Sequence, residues 1–309
     1  MPIDFTKKFN VGLTLKTSLR TADKFFERYG SYINEVYFSA PLGNRFHTRR
    51  GIQQQLSKKR IIDKFWKLLG LVKSHGIRLE MVLNTNMLSE QDIESARDVL
   101  VKHNVDIDSV CCMEEYYDAV KRVFPGKDYI CSFNNVFRSV ADIQKVQNEY
   151  DSYVLGGALI RANDAFRCVR EQKHAKVVLL LNNGCSFNCR GCRSAQHCKP
   201  VFMANLKKHS VDYLYALQSV LPPEIYDGSI DVDSVDYFKI SNRSSKLSYL
   251  KKCMDSYMTN STLKYLRRGF MNYSLWARMG HFWSRYIKIR RKKMLAYKAE
   301  ILGHELELK

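Results

Sequence analysis

Eight short apolar runs, each followed by a polar or amphipathic stretch, constrain this chain more than any other feature. The runs are FNVGLTLKT, EVYFSAP, IRLEMVLNT, IDSVCCM, KDYICSFNN, DSYVLGG, AKVVLLLNN and VDYFKIS. Between them lie stretches with helical spacing, among them RTADKFFERYGSYI, IIDKFWKLLGLVKSHG, SEQDIESARDVLVKHN, EEYYDAVKRVF, SVADIQKVQNEY, NDAFRCVREQKH and VDYLYALQSVL. Strands rich in Val, Ile and Leu that alternate with helices require a parallel sheet covered on both faces. Eight such units match a TIM-like (β/α)8 barrel, which we expect over residues 1–260. An open doubly wound sheet is the alternative, but no Gly-rich dinucleotide fingerprint accompanies it.

Residues 261–309 read differently. Leu263, Leu266, Phe270, Tyr273, Trp276, Met279, Trp283 and Tyr286 recur at steps of three and four, the pattern of one apolar helix stripe. Arg267, Arg268, Arg278 and Arg285 fall between them, and KIRRKK follows. The segment from Arg243 to Lys309 holds sixteen Lys or Arg against four Asp or Glu, which supplies +12 of the +19 net charge. We therefore expect a long basic helical extension. It either packs on the barrel with a solvated basic face or docks RNA, another polyanion or a protein partner. No run approaches membrane-spanning length, and the first residues lack the apolar core of a secretory signal, so the expected compartment is cytoplasmic.

That compartment bears on the nine cysteines, which stay reduced there and more often bind metal than pair. Cys185, Cys189, Cys192 and Cys198 are spaced C-x3-C-x2-C-x5-C just after the seventh apolar run. Gly184 and Gly191 allow the intervening backbone to turn back. Four thiolates suit a [4Fe-4S] cluster or a structural four-cysteine zinc site; the tight spacing favours the cluster, with His197 as an alternative fourth ligand. Arg190, Arg193 and Lys199 offset the negative charge of such a set. The first three cysteines also spell the signature of radical S-adenosylmethionine enzymes. Here, however, the signature follows the seventh strand rather than the first, and Gly191 stands where an aromatic residue is usual. Cys111, Cys112, Cys131, Cys168 and Cys253 are expected in the core.

Three stretches together resemble the collagenase-like, U32-type peptidase superfamily. They are SVDYFKISNRSSKLSYLKKCMDSYMTN, EVYFSAPLGNRF and GIRLEMVLNTNMLSEQDIESARDVL. Val235, Asp236, Phe238, Lys239, Ile240, Arg243, Tyr249 and Tyr257 fall in register with that family's segment near the end of its barrel. The resemblance runs through most of residues 10–258. It implies a TIM-like barrel and, in several branches, a [4Fe-4S] cluster serving oxygen-independent hydroxylation in ubiquinone synthesis or at RNA nucleotides. The family's Glu-Gly before the arginine is Ser241-Asn242 here, and the cysteines are bunched in one segment. Proteolysis has no support in the residues, since no Ser/His/Asp set or zinc-protease motif is present.

Chemistry in such a barrel gathers where strands end and βα loops begin. This rule nominates Thr17, Ser39, Arg45, His47, Asn84, Asn86, Glu114, Asn134, Asn182, Lys239 and Arg243. We expect catalytic roles for Glu114, Lys239 and Arg243, with Glu114 as a general base. Substrate binding falls to Arg45, Asn84 and Asn134, and metal ligation to Cys185, Cys189, Cys192 and Cys198. Arg45, Lys239 and Arg243 suit a carboxylate or phosphate. The expected function is a substrate- or RNA-modifying iron–sulfur barrel enzyme of the oxygen-independent hydroxylase type. A radical enzyme or a zinc-bearing scaffold is the alternative.

Overall fold

The computed structural model describes residues 3–15, 17–42, 45–46, 59–84, 88–135, 137, 139–156, 159–181, 220, 222–240 and 247–260. Each of the eight apolar runs coincides with a strand, the second strand starting two residues before its run. They are β1 (Phe9–Gly12), β2 (Ile33–Ser39), β3 (Arg78–Leu83), β4 (Ser109–Cys112), β5 (Asp128–Cys131), β6 (Ser152–Leu155), β7 (Lys176–Leu180) and β8 (Tyr237–Ile240). Every neighbouring pair is parallel, and β1 pairs with both β2 and β8, so the sheet closes on itself. The fold is a TIM-type barrel. The expected basic helical extension lies outside the described residues.

Side-chain phase follows from the period of two along each strand. On one phase, Phe9, Val11, Val36, Phe38, Leu79, Met81, Leu83, Val110 and Cys112 join the large core between barrel and helices. On the other, Tyr37, Val82, Cys111, Ile130, Val154, Val178 and Leu180 form a separate cluster, the barrel interior. The same inward phase carries Glu35, Arg78, Glu80 and Lys239, so much of the barrel's buried charge faces its axis.

The helices start where local chemistry allows. Helix α1 (Leu19–Tyr29) is capped by Ser18, whose side chain accepts from Thr21 N at 3.1 Å. Helix α2 (Lys59–Ser74) follows, and α3 (Glu90–Lys102) opens with a capping box between Ser89 and Asp92. Helices α4 (Tyr117–Val123), α5 (Val140–Gln144) and α6 (Asn163–Arg167) are shorter. After β2 the chain forms a short antiparallel hairpin, Pro41–Leu42 with Arg45–Phe46.

At the N-terminal face of the barrel one device occurs three times. Asp108, Asp151 and Asp236 each precede an even-numbered strand. Each accepts from a backbone N–H at the start of the preceding strand: Leu79 at 2.7 Å, Tyr129 at 2.6 Å and Val177 at 2.9 Å. Their own backbone N–H groups donate back to Leu79 O, Tyr129 O and Val177 O. The pairs β3/β4, β5/β6 and β7/β8 are thereby bracketed where their ladders begin, and the polar groups there are satisfied.

Candidate active site at the barrel mouth

Lys239, on β8, projects into the barrel and is 6% exposed. A buried ammonium needs a counter-charge, and Glu80 of β3 supplies it through Oε1. Tyr37 of β2 lies between their strands; its ring centroid is 4.6 Å from Lys239 Nζ, a cation–π contact. Its hydroxyl donates to Ile240 O at 2.6 Å, which fixes the ring. Burial alone would lower the Lys239 pKa, but the Glu80 charge and hydrogen bond, with Cys111 and Tyr37, outweigh it and hold it above the ordinary lysine value. Lys239 is therefore a cation in this site, suited to binding an oxygen anion and unsuited to acting as a neutral nucleophile.

The two asparagines expected to bind substrate meet at the rim. Asn134, in the turn after β5, donates through Nδ2 to the backbone oxygen of Asn84 after β3 at 2.6 Å. Asn135 donates to Cys131 Sγ at 3.0 Å and accepts from Glu114 N at 2.9 Å, so the turns after β4 and β5 are tied together.

Glu114 is placed at the end of β4, but its carboxylate serves the connection outside the barrel. Oε1 accepts from Gln147 N at 3.1 Å, and its backbone oxygen accepts from Asn148 Nδ2. Among the described residues nothing joins Glu114 to Lys239. Ser39 is buried at the end of β2, and Thr17 is buried five residues beyond β1, next to the α1 cap Ser18. Arg45 lies in the short hairpin. His47, Asn86, Asn182, Arg243 and the ligand candidates Cys185, Cys189, Cys192 and Cys198 lie outside the described residues.

The flanks of the cysteine stretch are described, and they lie side by side. Leu181 follows β7, and its N–H donates to Lys239 O at 3.0 Å. Val220 N donates to Leu181 O at 3.0 Å, so residues 182–219 leave and rejoin the barrel at one point. After Val220, α7 (Pro222–Tyr226) carries Glu224, which takes a bidentate, fully buried pair from Arg161 at 2.7 and 3.0 Å. Tyr257, fully buried on α8 (Leu247–Met258), donates to Val220 O at 2.6 Å. These polar contacts hold both ends of the excursion at the C-terminal end of the barrel.

Sequence reasoning missed Glu80, Tyr37, Glu35 and Glu224. The signal for Glu80 is a single carboxylate inside the apolar run IRLEMVL, on the same alternate phase as Arg78 and Val82. The five cysteines expected in the core are buried. Burial pushes the Cys253 thiol up to about 12 and Cys112 higher, so neither is a thiolate. Among the described residues no group of three or more His, Cys, Asp or Glu side chains is arranged to hold a metal. None of their helices is long and apolar enough to cross a membrane.

No protein-family model and no curated protein matches this chain. Solved structures similar to it include the U32 peptidase Mk0906, with a TM-score of 0.46 and 11% identity over 79% of this chain and 97% of that one. A monomeric dihydrodipicolinate synthase variant gives 0.38 and 11% over 85% and 98%. A psychrophilic family 10 endo-beta-1,4-xylanase gives 0.38 and 8% over 77% and 86%. Likenesses this distant carry no argument about activity. The barrel assignment rests on the strand pairing itself.

Proposed function

We propose that the chain is an iron–sulfur barrel protein of the U32-like type that modifies RNA by oxygen-independent hydroxylation. The observation that carries the reading is the junction of Leu181 and Val220. The stretch holding four cysteines is anchored at both ends beside Lys239, at the end of the barrel where chemistry gathers. The donor set fits the group, since four thiolates in C-x3-C-x2-C-x5-C spacing suit a [4Fe-4S] cluster held by Cys185, Cys189, Cys192 and Cys198. When bound, such a cluster supplies one-electron chemistry.

The chain's own groups do the rest. The Lys239 ammonium, held by Glu80 and the Tyr37 ring, offers a fixed positive charge to an oxygen on which negative charge develops. Arg243 and Arg45 supply further cations for a phosphate or carboxylate. The turns carrying Asn84 and Asn134 form one side of the substrate entrance. Glu114 anchors the wall through Gln147. The basic segment 261–309 is the docking surface for the RNA backbone.

The test is mass spectrometry of nucleosides from RNA of cells with and without the gene. The expected result is a nucleoside heavier by one oxygen atom that disappears on deletion. It returns with the wild-type chain and stays absent with Cys185→Ser or Lys239→Met. An RNA nucleoside profile unchanged by deletion contradicts the assignment to RNA.

A further inference from the structure

The barrel axis holds more negative charge than its buried cations balance. From β2, Glu35 accepts at Oε1 from Arg78 Nε and Ser109 Oγ, each at 3.0 Å, and at Oε2 from Asn10 Nδ2 at 3.4 Å. From β3, Glu80 takes Lys239 on Oε1, while its buried Oε2 has no hydrogen-bond donor among the described residues. Arg78 is 40% exposed and is shared with Asp128, itself 47% exposed, so much of its charge is met at the surface. Among the described residues, Lys239 is thus the one buried cation facing two buried carboxylates. The other groups facing them are Tyr37 of β2 and Cys111 of β4. Lys176 of β7 stands outside this set, over the Tyr237 ring at 5.8 Å. The apolar residues of the interior, Val82, Ile130, Val154, Val178 and Leu180, add no charge to this set.

Glu35 and Glu80 share the inward phase of paired strands, and two carboxylates so placed disfavour each other's charge where only one nearby cation is fully buried. A proton on Glu35 removes the excess charge. We infer that Glu35 is a proton-holding site on the inner face of the barrel, carrying its proton up to about neutral pH beside the Glu80–Lys239 pair. The site stands on the barrel strands alone and does not depend on a metal or on RNA as substrate. Loading is simple protonation of one carboxylate oxygen from water. Burial and the neighbouring Glu80 charge act in the same sense, raising the Glu35 carboxyl to about 7.

Carbon-13 NMR of the full chain carrying glutamate labelled at the side-chain carboxyl tests this, titrated from about pH 4 to about pH 9. One carboxyl resonance is expected to titrate near neutrality, and it disappears in Glu35→Gln. Its midpoint falls in Glu80→Gln, where the like charge is gone, and rises in Lys239→Met, where the counter-charge is gone. Glutamates that all titrate in the ordinary range overturn the inference, as does a midpoint unmoved in both Glu80→Gln and Lys239→Met. The wild-type titration decides the matter by itself should a variant fail to fold.

Discussion

Glu35 places a pH dependence on the stability of the barrel, and its sign follows from the raised pKa. The folded chain binds this proton more tightly than the unfolded chain, with values of about 7 against 4.5. Its contribution is therefore fully present below about pH 4.5 and lost as pH rises through about 7. The shift corresponds to on the order of 3 kcal/mol. Denaturant unfolding at a series of pH values should show stability falling across this window, with the fall flattened in Glu35→Gln. An unchanged slope in the variant contradicts the account. Lys239 and Glu80 make a second prediction. Lys239→Met leaves Glu80 buried without its counter-charge and should cost about 3–5 kcal/mol, whereas Lys239→Met with Glu80→Met recovers most of that. Equal losses in the single and double variants would show that the pair is not the source. Lys239 was legible because a lysine at a strand end stands out. Glu80 was not, because only strand pairing reveals which alternate residues share the axis with it.

The elements were legible as far as they obey a period. Seven strands lie within the expected runs and β2 begins two residues before its run, since buried parallel strands are nearly continuous in apolar character. The stretch SVADIQKVQNEY reads as one helix to Tyr150, yet α5 spans only Val140–Gln144. Beyond it the backbone is taken by other partners: Val146 O by Lys173, Gln147 N by Glu114 and Glu149 O by Tyr117. These long-range hydrogen bonds replace the local ones, and no single-segment pattern contains them. The Asp brackets are visible only in retrospect, as an aspartate immediately before the β4, β6 and β8 strands. Each bracket joins two strands, so removing one strips a backbone N–H of its partner. Asp151→Ala should lower stability by about 1–3 kcal/mol, with Asp108→Ala and Asp236→Ala similar, measured by equilibrium unfolding. Losses near zero would mean that water replaces the carboxylate at no cost.

For the whole molecule, the sequence marks two properties that the barrel itself does not carry: the crowded thiols and the basic C-terminal segment. In the proposed function, the charge of residues 261–309 serves docking. Truncation at Thr262 should weaken RNA binding and flatten its salt dependence, since fewer counterions are released; affinity unchanged at every salt concentration contradicts a docking role. The barrel was readable from alternation alone, because eight repeats of one unit leave few other closures. The reaction was not, because apolar periodicity says nothing of the side chains that carry chemistry. The neck between Leu181 and Val220 is held by protein groups. The most direct measurement is iron, sulfide and zinc content of the full chain isolated without oxygen, with its absorption spectrum. The account predicts a brown protein with roughly four irons and four sulfides per chain and a broad band near ~400 nm. A colourless protein carrying zinc, or no metal at all, contradicts it.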